Sequence, residues 1–201
     1  MIRITERADI RAAASVLAEA FRDDPLFAHF FPDASRRRDR AVHTFRFIVS
    51  HAVGRGRVYL SPRRDAAAVW LPPGISERGL ADQIRYGALR MLVRQHPRSI
   101  VRQMRASDFM HAIHERFLPA HRWYLSTLGA LPSARGTGAA SALVRGMLDE
   151  IDTGALPCAL DTHNGNNISF YARFGFTVVH ESAIPGTSVR HWTLLRPTRA
   201  R

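Results

Sequence analysis

The chain has 201 residues, 29 basic against 17 acidic side chains, and a single cysteine. That length suits one domain with a sizeable core; the lone Cys158 excludes an internal disulfide, and apolar runs such as Ala66 to Pro73 are too short to span a bilayer. Every basic residue is arginine, for a net charge of +12, and without lysine neither a Schiff-base amine nor a P-loop lysine is available. Ile2 and Ile4 alternate as a first strand over residues 1–7. From Asp9, read as an N-cap, Ile10, Ala13, Ala14, Leu17, Ala18 and Phe21 recur with helical spacing. DDPLFAHFFPD breaks this helix at Pro25 and Pro32. A second helix covers Arg36 to about Val53. Arg57 to Ser61 and Ala66 to Leu71 read as a β-hairpin turning at Pro62 to Asp65. Residues 76–118 look helical, are broken at Pro97, and read as a helical cover over a pocket.

The last third is more regular. Trp123 to Leu131 is a strand. Gly138 to Ile151 is an amphipathic helix with Ala140, Leu143, Val144, Met147, Leu148 and Ile151 on one face. Pro157 to Thr162 is a short buried strand, and Asn166 to Phe174 a short helix ended by Gly175. Phe176 to His180 and Val189 to Leu195 are the final strands, joined at Pro185-Gly186.

The N-terminus lacks the apolar core of a signal peptide, so a soluble cytoplasmic protein is expected. The arginines are scattered, with one short cluster at Arg36, Arg37 and Arg38, and no nucleic-acid-binding motif accompanies them. Genome-wide base composition that favours arginine over lysine, together with attraction for an anionic small ligand, accounts for the charge better than nucleic acid does.

The stretch ALPSARGTGAASALV, residues 130–144, carries the most chemistry. A strand ends, a loop of small residues follows, and a helix begins. Its first turn offers free N–H groups and the positive end of the helix dipole, which suits a pyrophosphate. Gly136, Gly138, Ala139 and Ala140 let phosphates come close to the backbone, and Arg135 adds a positive charge. GxxxxGK[ST] is absent. The dinucleotide fingerprint GxGxxG is half present as Gly136, Gly138 and then Ser141, with Asp161 near the place of its ribose-binding acid; too few residues follow Asp161 for the rest of that fold. An oxidoreductase binding NAD(P) therefore stands as the rival reading, beside a non-catalytic CoA-binding domain.

Arg135-x-x-Gly138-x-Ala140 also matches the [QR]-x-x-G-x-[GA] signature, and THNGNNISFYARFGFTVVHE follows it. On these motifs the chain resembles the GNAT acetyltransferases, closest to the puromycin N-acetyltransferase-like branch; the likeness covers about residues 121–196. It implies an α/β fold, a mixed central sheet of six to seven strands flanked by helices, with the helical insert at about 76–118, all within one domain of residues 1–201. It implies transfer of an acetyl group from acetyl-CoA to the primary amine of a small molecule. Leu128, Gly129 and Ala130 would pair with the pantetheine arm and offer an oxyanion donor. Arg135, Gly136, Thr137, Gly138, Ala139 and Ala140 would hold the pyrophosphate, and Asn164 and Asn167 the lower pantetheine. Tyr171, four residues from Asn167 on one helix face, would be the general acid. Asp161 is the first candidate for the base, directly or through a water, with His163 the second and Asp23, Asp24, His121 and Glu181 behind them. Asp24, Phe27, Phe30 and Trp123 would line the acceptor site. No HxxxH or CxxC spacing supports a metal site, Cys158 reads as core, and the expected state is monomer or homodimer.

Overall fold

The structure is a computed structural model and describes residues 1–4, 6–75 and 94–198. Among them, strands β1 (Ile2–Arg3), β2 (Arg57–Leu60), β3 (Ala66–Leu71), β4 (Trp123–Ala130), β5 (Cys158–Thr162), β6 (Thr177–Ala183) and β7 (Arg190–Arg196) form one sheet in the order β1-β2-β3-β4-β5-β7-β6. All neighbours are antiparallel except β4 and β5, which run parallel. Helices α1 (Arg7–Ala20), α2 (Pro25–Phe30), α3 (Ala34–Val53) and α4 (Pro97–Phe117) lie on one face, and α5 (Ala139–Thr153) and α6 (Asn166–Ala172) on the other. The mixed sheet flanked by helices is the expected α/β architecture. No helix among the described residues is long and apolar enough to cross a membrane.

Each face of the sheet has its own core. Leu17, Phe27, Phe31, Phe45 and Val49 pack on one side, and Leu143, Val144, Met147 and Ile151 pack against Trp70 and Leu160 on the other. Strand β3, AAAVWL, is buried along its whole length, as an apolar run without alternation should be when helices cover both faces. A partly buried ion pair ties the last strand to α5: Arg196 Nη1 and Nη2 donate to the Asp152 carboxylate at 2.5 and 2.7 Å, while Nε donates to the Phe174 carbonyl at 2.9 Å.

Several local readings shift. Helix α1 starts at Arg7 behind Glu6, so Asp9 sits in its first turn instead of capping it, and pairs with Arg64 at 3.0 Å. Pro25 and Pro97 open helices where they had been read as breaks. A proline at the first helical position loses no hydrogen bond, and each is preceded by a side-chain cap: Asp24 Oδ1 accepts from Leu26 and Phe27 N–H at 2.9 and 3.3 Å, and His96 Nδ1 from Arg98 N–H at 3.2 Å. Of the expected insert, residues 76–93 lie outside the described residues; the remainder from Pro97 is α4.

The feature that positions the site is the parting of β4 from β5. Only Trp123, Tyr124 and Leu125 pair with β5, opposite Cys158, Ala159 and Leu160. Beyond them β4 continues to Ala130 paired with β3 alone, and Ser126 forms a bulge, since Leu125 faces Trp70 and Thr127 faces Val69. Leu131 N–H donates to Asp65 at 2.8 Å, which sets the alternation along the antiparallel pair. Thr127 and Gly129 therefore bond towards β3, and Leu128 and Ala130 turn their N–H and C=O groups into the gap.

Candidate active site

The gap opens into a cleft of ≈ 900 Å³. Leu128, Gly129 and Ala130 form one wall; Arg135, Gly136, Gly138 and Ala140 form the end; Asn164, Asn167 and Tyr171 face them; and Asp23 and Asp24 close the side below α1. After β4 the chain makes a 3-10 turn over Pro132–Ala134 and then takes left-handed backbone at Gly136 (φ 78°) and Gly138 (φ 87°), a conformation that favours glycine. Gly138 is the N-cap of α5. The N–H groups of Gly136, Gly138, Ala140 and Ser141 find no acceptor among the described residues. With the helix dipole behind them, their geometry suits a phosphate anion. Thr137 and Ala139 do not line the cleft. Thr137 Oγ1 instead donates to the Ala134 carbonyl at 2.8 Å and holds the turn.

Two cations join Arg135 that sequence reasoning did not single out. Arg145 on α5 and Arg173 after α6 line the cleft, with guanidinium carbons 5.6 Å from the Phe174 ring and 5.0 Å from the Phe170 ring. Both Asn164 and Asn167 reach the cleft. Asn164 Oδ1 accepts from Asn166 N–H at 3.1 Å; Asn167 Nδ2 donates to Thr162 Oγ1 at 3.2 Å.

Two groups of this cleft have shifted pKa values. Tyr171 is 7% exposed, and burial beside the Asp24 charge raises its hydroxyl pKa, so it keeps its proton at neutral pH. Burial also pushes the Asp24 carboxyl up to about 6, against the two backbone N–H groups that it caps. The other expected acceptor residues lie elsewhere. Phe27 and Phe30 are core: Phe27 stacks on Phe45 with centroids 4.7 Å apart. Trp123 packs against the opposite core, beneath α5 and α6.

Asp161 is not in the cleft wall. Its side chain is 4% exposed and both oxygens are engaged: Oδ2 with His114 Nε2 at 2.6 Å and the Tyr124 hydroxyl at 2.8 Å, Oδ1 with the Thr193 hydroxyl at 2.8 Å. Burial alone would raise its pKa, but the hydrogen bonds of His114 and Thr193 and the charges of His114 and His191 hold it down to about 2. His163 Nε2 lies 3.1 Å from His191 Nδ1, and burial with the His191 charge lowers its pKa to about 4. His180 stands beside His191 with ring centroids 6.5 Å apart. His114 and His191 thus flank one carboxylate, and His163 and His180 stand against His191. Among the described residues no group of three His, Cys, Asp or Glu side chains is arranged to hold a metal ion. A second cavity of ≈ 290 Å³ adjoins this cluster, lined by His114, Tyr124, Arg122, Met110, Leu71 and Ile75 among others.

His121 is exposed before β4, and Glu181 pairs with Arg190 at the surface. Cys158 is fully buried, and burial pushes its thiol up to about 12, which makes it a poor nucleophile.

An unpaired strand edge, a loop of free N–H groups and a set of arginines fit the parts of an acyl-CoA: pantetheine amides, pyrophosphate and phosphate. Comparison with known proteins agrees. Residues 63–176, more than half of the chain, match the acetyltransferase (GNAT) family. An uncharacterized N-acetyltransferase of Schizosaccharomyces pombe is 24% identical over 179 residues, 85% of this chain and 72% of the relative. Among solved structures, a histone acetyltransferase HPA2 and related acetyltransferase from Corynebacterium glutamicum shares the fold with a TM-score of 0.67 at 18% identity, over 100% of this chain and 96% of that one. A mosquito arylalkylamine N-acetyltransferase like 5b does so with a TM-score of 0.57 at 12% identity, over 96% and 97%. The chain therefore belongs to the acetyltransferase (GNAT) family and is an acyltransferase that uses acetyl-CoA.

Proposed function

We propose that this enzyme acetylates the primary amine of a small molecule by direct transfer, with Asp24 as base and Tyr171 as acid. The observation that supports this most is that both side chains line the cleft below the free edge of β4, with the Asp24 carboxyl pushed up to about 6. A base of that strength is stronger than an ordinary carboxylate near 4 and still ionised at neutral pH. Acetyl-CoA supplies a thioester whose acetyl group passes to the amine as the thiol leaves. Asp24 takes a proton from the acceptor ammonium, leaving a nitrogen lone pair. An N–H of Leu128 or Ala130, turned into the gap, donates to the carbonyl oxygen as negative charge grows on it. Tyr171 gives its proton to the departing sulfur and regains one from the second proton that the nitrogen loses as the amide forms. Asn167 and Asn164 hold the arm, and Arg135 with the first turn of α5 holds the phosphates. Asp161, with both oxygens occupied, acts through its partners as a positioning residue.

Trp123-Tyr124-Leu125 in β4, Asp161-Thr162 at the end of β5 and the run Phe170 to Phe176 support membership of the puromycin N-acetyltransferase-like branch. The test is thiol release from acetyl-CoA across a panel of primary amines, with acetyl-CoA binding followed by calorimetry. Release with some amines, lost in Asp24→Asn and weakened in Tyr171→Phe, is expected. Tight binding of acetyl-CoA without release for any amine would overturn the reading and leave a CoA-binding domain.

A further inference from the structure

We propose that the second cavity takes the far end of the acceptor and that Arg122 binds a carboxylate there, so that the acceptor is an elongated amine with a carboxylate at its other end. This rests on the reading of Asp24 and Tyr171 as the reacting pair.

Arg37 and Arg196 show how this fold satisfies an arginine that it withdraws from water. Arg37, with 11% of its side chain exposed, donates from Nε, Nη1 and Nη2 to the carbonyls of Phe31, Arg22 and Pro32 at 2.8, 2.9 and 3.3 Å. Arg196 likewise places all three nitrogens, on the Phe174 carbonyl and the Asp152 carboxylate. Arg122 is half-buried and differs. Its Nη1 donates to the Pro119 carbonyl at 2.7 Å, its Nε is buried with no partner, and among the described residues its Nη2 has none either. Burial disfavours its charge, and Tyr124 and Asp161 favour it without forming an ion pair. Both Asp161 oxygens are already taken by His114, Tyr124 and Thr193. A guanidinium does not deprotonate in a protein, so this charge is fixed, and a charge withdrawn from water calls for a partner.

Arg122 lines the second cavity, whose walls are apolar at Leu71, Ile75 and Met110, and among the described residues no Asp or Glu lines it. A cation facing an apolar space repels a second ammonium and attracts an anion. A carboxylate, planar and singly charged, is matched by one guanidinium; a phosphate dianion would leave charge unmatched. The charge comes from Arg122 alone, so the protonation of the histidines in the wall does not enter. The cavity lies on the same face of the sheet as Asp24. Asp24 caps α2, Arg102 Nη1 of α4 donates to the His29 carbonyl of α2 at 3.1 Å, and Met110 of the same α4 lines the cavity. Tyr124 at the cavity and Leu128 at the cleft are four residues apart on β4, about 13 Å, so the acceptor must be long enough to reach both.

The test compares kcat/KM for ω-amino acids of increasing chain length with the ω-amino amides of the same length. At lengths that span the two sites the carboxylate should win by about 10- to 100-fold, one charge-assisted hydrogen bond. Arg122→Gln should bring that ratio to about one. A ratio near one at every length, a ratio retained in Arg122→Gln, or a preference for ω-aminoalkylphosphonates over the amino acids would overturn the proposal. Binding is read apart from turnover on the unaltered protein. The Arg122 Nε–H is shut away from solvent, so its signal should persist in nitrogen–proton spectra, and its loss in Arg122→Gln assigns it. Octanoate should shift that signal and octanamide should not; no response to octanoate, or an equal response to both, would equally overturn the proposal. Absence of thiol release from any amine, with the octanoate shift present, is a failure of the catalytic reading alone.

Discussion

Asp24 combines two demands in one carboxylate. Oδ1 caps α2, and the burial that comes with that position raises its pKa into the range where a carboxylate becomes a useful base. kcat/KM should fall as pH drops below about 6, when Asp24 takes up a proton. Asp24→Asn should remove that limb and lower kcat by about 10²-fold or more. The folded state holds this proton to higher pH than the unfolded chain does, so its contribution to stability declines as pH rises from about 4 to 6. Asparagine still caps, so Asp24→Asn should be no less stable than the parent at pH 7 by urea denaturation. Asp161 has the opposite sign. Its pKa is held down to about 2, so the stability it supplies is present above pH 4 and lost as pH falls towards 2. Asp161→Asn should cost about 3 kcal/mol at pH 7, with the gap to the parent closing in denaturation curves taken near pH 2.

At the scale of elements, the cleft depends on how closely α1 lies on β4. A Cβ on Gly129 would come within 2.8 Å of Ala20 Cβ and 3.1 Å of Leu17 Cδ2, both on α1. Gly129→Ala must push α1 outwards, which should cost about 1–3 kcal/mol and lower Tm by several degrees in a thermal scan. Since α1 leads into Asp23 and Asp24, the KM for acetyl-CoA should rise with it. Most elements were legible from apolar period and from glycine and proline. Pro25 and Pro97 were misread because proline ends or begins a helix according to the residue before it, and here Asp24 and His96 cap. Phe27 and Phe30 were expected in the acceptor site; the sequence marks α2 as aromatic but not which side of it faces α3. Trp123 was expected there too; it packs with the core under α5 and α6, and since successive residues on a strand face opposite ways nothing local decides its side.

For the whole molecule, the charge of +12 attracts anions, and Arg135, Arg145 and Arg173 bring part of it to the cleft. The KM for acetyl-CoA should rise with ionic strength, and the dependence should flatten in Arg135→Glu, as measured by initial rates across a salt series. That Arg135, Asn164, Asn167 and Tyr171 share one cleft was legible because they lie within 37 residues of one another, Arg135 to Tyr171, and each has a local reason for its residue type. The histidine cluster was not. His114, His163, His180 and His191 look dispersed along the chain, and only the order β5-β7-β6, with α4 folded across it, brings His114 and His191 to Asp161 and the other two to His191.

The free edge of β4 amounts to a missing strand in the middle of a sheet, and it should leave a signature in amide hydrogen exchange. Leu128 and Ala130 N–H groups, turned into the gap, should exchange with solvent rapidly in the free enzyme. Thr127 and Gly129, bonded to β3, should exchange slowly. Acetyl-CoA should slow the first pair and leave the second as it was, so that one strand alternates between ligand-protected and fold-protected amides at every second residue.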